Sequence, residues 1–219
     1  MTNVFIPNPA QACRELYQTA PISHFATTTD LILAHGKLLQ RAHQNKEPSC
    51  AIQLNNWHPD LIGKSVAEVL SADLKIEDAL LALSRELGYE NWEAAQAHES
   101  MIDADFEKVV DHALHGELQQ LDAALTEKPA FANQASSFGH KATLLLYMGS
   151  NGVEMWRQVV PENVCDVVQL LVKHGAQADA KMNVYGGQFD VLALAETSAH
   201  PRNAGAAEKL IPLLKSLSG

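Results

Sequence analysis

The chain has few cysteines, no long apolar segment and no cluster of basic residues. Its three cysteines, Cys13, Cys50 and Cys165, are far apart, and none belongs to a CxxC pair. An odd, scattered set argues against a disulfide framework and against metal binding through sulfur, and it favours a reducing compartment. We therefore expect a cytoplasmic protein with no bound metal and no other cofactor.

Membranes and nucleic acids are not expected partners either. No run of about 18 apolar residues is present, so the sequence predicts no transmembrane helix. Residues 1–10 lack the basic region and the apolar run of a secretory signal. The formal charge is −10, whereas binding to phosphate backbones and to anionic lipids needs clustered lysine and arginine.

Apolar residues are abundant and their spacing is helical. They make up 47% of the 219 residues, which is enough for a sizeable core. Between Ile76 and Leu87 they recur every three or four residues, so this stretch predicts an amphipathic helix, with Gly88 as its stop. Asn91 is placed to cap the next helix, and residues 55–59 are interpreted as a loop. The predicted fold class is all-α.

Residues 143–180 resemble an ankyrin repeat. They begin TLLLYMGSNG and end VVQLLVKHGAQADA, against the repeat pattern T-P-L-H-x-A-A-x-x-G and V-x-x-L-L-x-x-x-G-A-x-x-N-A. Thr143 matches the threonine, and Leu170 and Leu171 match the core leucine pair of the second helix. Leucines replace the proline and the histidine, and about ten extra residues separate Gly152 from the leucine pair.

The flanking sequence extends the resemblance. A degenerate repeat precedes residue 138, and a last one starts near Tyr185 with Asp190 at the threonine position. Residues 73–98 resemble the helical leader ahead of the repeats in many bacterial ankyrin-repeat proteins, with the pattern L-x-x-A-x-x-x-x-A-R-E-x-G-F-x-S-W-x-x-L-x-x-H. The resemblance implies a helical solenoid of about three ankyrin-like repeats in residues 101–219, capped by an N-terminal helical leader in residues 1–100. It implies no particular reaction.

Two long insertions interrupt the turns that ankyrin repeats normally keep tight. They are residues 153–163 and residues 198–205, and loops of this length often carry function. Insertions in neighbouring repeats are expected to lie side by side, which would bring Trp156 and Arg157 close to His200 and Arg202. Alternatively, the loops only extend the helices and pack on each other.

The concave surface and these loops could gather one set of polar and aromatic residues. Trp156 and Arg157 are the preferred contacts for a partner, because these residue types dominate binding hot spots. His140 and His200 are candidate general bases, although His140 can equally brace its loop by hydrogen bonds. The candidate binding residues are His140, Tyr147, Asn151, Trp156, Arg157, Tyr185 and His200.

The expected function is that of a protein–protein interaction module that binds an unknown protein partner through the concave face and the two inserted loops. A repeat array offers an extended surface, and no complete catalytic set is evident. The alternative is a small-molecule-binding protein or an enzyme, which would need a closed pocket around His140, Tyr147, Arg157, Tyr185 and His200. Self-association is a third possibility.

Overall fold

The computed structural model describes residues 2–217, which form thirteen α-helices and two small antiparallel sheets. The helices are α1 Asn8–Tyr17, α2 Thr28–Gln44, α3 Ala51–Trp57, α4 Val66–Ser71, α5 Ile76–Glu86, α6 Trp92–Ala97, α7 Ala104–Leu114, α8 Leu118–Glu127, α9 Leu144–Tyr147, α10 Val164–Lys173, α11 Val191–Thr197, α12 His200–Asn203 and α13 Ala207–Leu217. The strands are β1 Val4–Phe5, β2 Val160–Pro161, β3 Met182–Val184 and β4 Gly187–Phe189. The predicted mostly helical class is confirmed.

Local chemistry accounts for most helix ends. The Thr27 hydroxyl accepts a hydrogen bond from Asp30 N at 3.2 Å and caps α2, and Asn91 caps α6 in the same way. Gly88 has φ +85° and ends α5, as predicted. The loop expected at residues 55–59 is wrong for its first part, because α3 continues to Trp57, which packs into the core.

Residues 104–217 form three successive helix pairs, α7 with α8, α9 with α10, and α11 with α13. The first helices contact one another in the order α7, α9, α11, and the second helices in the order α8, α10, α13. Residues 148–163 separate the members of the middle pair and include a short turn of 3₁₀-helix, Met155–Arg157, followed by β2. The β3–β4 hairpin precedes the third pair, with Met182 opposite Phe189.

The N-terminal helices attach to this body at several places. Strand β1 pairs with β2, and α1 packs on the Met155–Arg157 turn. The Leu87 carbonyl, at the end of α5, accepts a hydrogen bond from His140 N at 3.1 Å. One continuous apolar core extends from α1 to α13. The division near residue 100 therefore stays a prediction.

Within residues 2–217, none of the helices combines the length and the apolar character needed to cross a bilayer.

Candidate functional site

Arg157 is at the centre of a buried ionic cluster. Its guanidinium bonds the Glu107 carboxylate, and it lies 3.1 Å from Asp111 Oδ1 and 3.4 Å from Glu154 Oε1. Burial alone would lower the pKa of Arg157, but the three carboxylates outweigh it and raise that pKa well above its ordinary value. At 2% exposure, Arg157 has no free surface with which to contact a partner. This corrects the place expected for it.

His140 and Tyr147 are buried beside the same cluster. His140 Nδ1 accepts a hydrogen bond from Ala142 N at 3.0 Å, which assigns the ring proton to Nε2, 3.6 Å from Glu154 Oε2. The Tyr147 hydroxyl donates to Glu154 Oε1 at 3.2 Å. Burial opposes ionisation of Glu154, yet His140 and Arg157 lower its pKa. Both rings are 0% exposed, so His140 braces its loop and no substrate reaches it.

A second buried carboxylate, Glu86, links α5 to the inserted turn. It accepts hydrogen bonds from Met155 N at 2.7 Å and from the Gln53 side chain. Gln53 in turn accepts from the Tyr17 hydroxyl at 2.6 Å, so the chain of bonds reaches α1. Burial raises the pKa of Glu86 to about 7, against the lowering effect of its two donors.

Trp156 faces the N-terminal helices and not the solvent. Its ring meets Tyr17 edge-on at 5.6 Å between centroids and His35 at 5.2 Å. Its carbonyl accepts a hydrogen bond from Arg14 Nε at 2.8 Å. The side chain is half-buried, and it lines a cavity described below.

Asn151 and Tyr185 meet on the other side of the body. The Tyr185 hydroxyl donates to Asn151 Oδ1 at 2.8 Å, and Asn151 Nδ2 donates to Thr197 Oγ1 at 3.1 Å. The Tyr185 ring stacks on Trp57, with centroids 5.7 Å apart and planes within 5°. Hairpin β3–β4 therefore contacts the end of α3, and the two elements line a groove of about 650 Å³.

His200 belongs to neither group, although it does connect the two insertions. Its Nε2 lies 3.3 Å from Gln158 Oε1, so residues 153–163 and 198–205 are neighbours, as predicted. Burial lowers the pKa of His200. Arg202, also expected in this contact, instead donates to the carbonyls of Glu196 and Thr197.

The predicted residues therefore occupy separate places. His140, Tyr147 and Arg157 are together and buried, and Asn151 and Tyr185 are together near the surface. Trp156 adjoins Arg157 but packs against Tyr17 and His35, and His200 is apart from both groups. Sequence reasoning missed the buried acids. Glu86 follows Leu83 by three residues and Glu107 precedes Val110 by three, so each lies in the apolar stripe of its helix, which is the signal that could have found it.

Among residues 2–217, no three His, Cys, Asp or Glu side chains are grouped as metal ligands. The chain matches no protein-family model, no curated protein and no solved structure in the comparisons. Any assignment of function therefore depends on the geometry of the described residues.

Proposed function

We propose that the protein is an interaction module in which an ankyrin-like stack and its N-terminal helices together form a groove for a peptide segment of a protein partner. Each helix pair contacts the next one along the chain, which supports an ankyrin-like stack. The hairpin that precedes the last pair supports it as well. Repeats of this kind bind partners through extended surfaces. Of that surface, we assign partner binding to the groove between hairpin β3–β4 and helices α3 and α5.

Exposed apolar side chains at the groove are the observation that carries the proposal. Ile62 is 60% exposed and Tyr185 is 58% exposed, although both are large apolar or aromatic residues. Both line the groove, where the stacked ring of Trp57 forms part of the floor. Exposed apolar surface that is rimmed by polar groups marks a site of interaction.

Arg85 is the basic residue that lines the groove, and Glu90 is the acidic one. The buried Nε of Arg85 has no hydrogen-bond partner. Among residues 2–217, no carboxylate forms an ion pair with it. An arginine in this position is suited to bind a carboxylate through two parallel N–H···O hydrogen bonds. The partner segment is thus an extended peptide that carries an acidic residue beside a bulky apolar one.

The first inserted loop, residues 153–163, contributes less than expected. Residues 153–160 are buried apart from Trp156, which is half-buried. The enzyme alternative is also weaker, because its proposed residues share no pocket. His140 and Tyr147 are inaccessible in the interior and Arg157 lines a different cavity, whereas Tyr185 lies at the groove.

A peptide selection tests the proposal. Random peptides displayed on phage are selected on the wild-type protein, and the Kd of the selected peptides is measured by fluorescence polarisation. We expect sequences with an acidic residue next to a bulky apolar residue. Both Ile62→Ser and Arg85→Gln should weaken their binding by about tenfold or more, since each removes a contact worth roughly 1–3 kcal/mol.

Met101→Ser is the matched control. Met101 is 69% exposed and does not line the groove, so its loss should leave Kd unchanged. Peptides without the acidic and apolar pair, or equal Kd values for wild type, Ile62→Ser and Arg85→Gln, would show that the groove is not the binding site.

A further inference from the structure

A cavity of about 290 Å³ lies between the N-terminal helices and the Met155–Arg157 turn. It shares no lining residue with the groove at hairpin β3–β4. Its volume is close to that of about ten water molecules in the liquid, so it has room for a small organic molecule. Arg14, Tyr17, His35, Asp111, Trp156 and Arg157 contribute to its walls.

The apolar wall is aromatic and is held firmly in place. Tyr17 and His35 stack with centroids 3.9 Å apart and planes within 4°. Trp156 meets both rings edge-on. The three rings come from α1, α2 and the inserted turn, and Ile22 extends the apolar surface. A flat apolar body can pack against such a wall.

Arg14 supplies positive charge to the same cavity. Its Nε donates to Trp156 O, and no other hydrogen bond or ion pair of this guanidinium exists within residues 2–217. Burial lowers the pKa of Arg14, with Asp111 acting in the opposite direction and Arg157 in the same one. Asp111 is already bound to Arg157, so it satisfies Arg14 incompletely.

His35 adds an acceptor that has no donor. Its Nε2 bonds Ala20 O at 2.7 Å, so Nε2 carries the proton. Burial lowers the pKa of His35 to about 4, which keeps the ring neutral at pH 7. The buried Nδ1 has no hydrogen-bond partner in the described chain. A half-paired cation and the neutral His35 ring therefore line one aromatic-walled cavity.

We propose that this cavity binds a small organic carboxylate, with its flat apolar body against Trp156 and Tyr17 and its carboxylate paired with Arg14. The carboxylate and the ring wall are both required, because inorganic anions cannot use the apolar surface and neutral aromatic molecules cannot use Arg14. The proposal is independent of the peptide groove.

The test is an isothermal titration of the full chain at pH 7 with benzoate, benzamide and inorganic phosphate. Benzoate should bind saturably, and the neutral benzamide and the ring-free phosphate should each bind at least tenfold more weakly. Arg14→Gln should weaken benzoate by about tenfold to a hundredfold, as expected for a lost charge-assisted hydrogen bond. Arg41→Gln, at an exposed arginine outside the cavity, is the matched control and should match wild type.

A second variant acts through volume and not through charge. Ala20 lines the cavity, and Ala20→Leu should fill part of it and abolish benzoate binding while circular dichroism stays native. If Arg14→Gln does not fold, this variant and the benzamide comparison decide the question. Absence of benzoate binding at millimolar concentration, equal affinity for benzoate and benzamide, or unchanged benzoate affinity in folded Arg14→Gln or Ala20→Leu would each overturn the proposal.

Discussion

The positive charge of Arg157 compensates the negative charges of Glu107, Asp111 and Glu154. A buried charge of this cluster would be strongly destabilising without its partners. Removing a charge from water costs several kcal/mol, and only well-placed opposite charges recover that cost. A buried ion pair adds little net stability, yet breaking one leaves an uncompensated charge. The cluster therefore specifies how the inserted turn sits on α7.

Arg157→Met should lower the free energy of unfolding by about 3–5 kcal/mol, because it leaves the Glu107 and Glu154 carboxylates buried without their cation. Urea denaturation at pH 7 measures the change. Arg41→Met, at an exposed position of α2, should stay within about 0.5 kcal/mol of wild type. Similar small effects for both variants would contradict the buried cluster.

Glu86 makes stability depend on pH. The unfolded carboxyl ionises near 4.5, whereas the folded one stays protonated up to about pH 7. Between these values the folded state holds the extra proton, so stability falls as pH rises through this window and then levels off. The expected loss is on the order of 3 kcal/mol.

Glu86→Gln should remove this contribution, because an amide does not titrate. Urea midpoints of wild type and variant are compared between pH 4.5 and pH 7.5. The wild type should lose stability relative to Glu86→Gln as pH rises. Parallel pH profiles for the two proteins would show that Glu86 is ionised over the whole range.

Helices α9 and α10 illustrate what a sequence motif conveys at the scale of an element. Helix α9 is only one turn long, and its residues are buried on every side. The unbroken apolar run from Leu144 to Met148 accounts for a segment with no solvent face. Helix α10 is amphipathic, and its Val167, Val168 and Leu171 face the core.

The two leucines of the predicted pair in α10 differ in burial. Leu171 is 0% exposed, whereas Leu170 is half-buried at the edge of the core. Leu171→Ala should cost about 2–5 kcal/mol of unfolding free energy, and Leu170→Ala should cost clearly less, since its site can relax toward water. Chemical denaturation of both variants measures the difference. Equal costs would mean that α10 is rotated from its assigned orientation.

At the scale of the whole molecule, the close approach of Gly88 to residues 139 and 140 joins the N-terminal helices to the helix pairs. A Cβ at Gly88 would lie 2.6 Å from Gly139 C and would also collide with the backbone nitrogen of His140. Gly175 has the same φ of +85° but has nothing within 4 Å of such a Cβ. A side chain at Gly175 would therefore cause backbone strain alone, whereas a side chain at Gly88 would cause the same strain together with a steric clash.

Gly175→Ala should cost about 1–2 kcal/mol, the strain of a left-handed residue with a side chain. Gly88→Ala should cost a further 1–3 kcal/mol or more, because two backbone segments must move apart. Thermal unfolding by calorimetry measures both variants. Equal destabilisation would show that the N-terminal helices are not seated closely on residues 139–140.

The helix that starts at Ile76, the Asn91 cap and the stop at Gly88 follow from the sequence by itself, because periodicity and capping act between residues three or four apart. The placement of the candidate residues does not. Arg157 and His140 are polar residues that the sequence alone places at the surface. Helix α1 packs on the turn that carries Arg157, and the Leu87 carbonyl at the end of α5 accepts a hydrogen bond from His140 N. The Arg14–Trp156 hydrogen bond joins residues 142 positions apart, and no local pattern encodes a contact of that range. Tertiary packing alone decided which polar groups were removed from water, since the free energy of a buried charge depends on partners that the chain brings from far away.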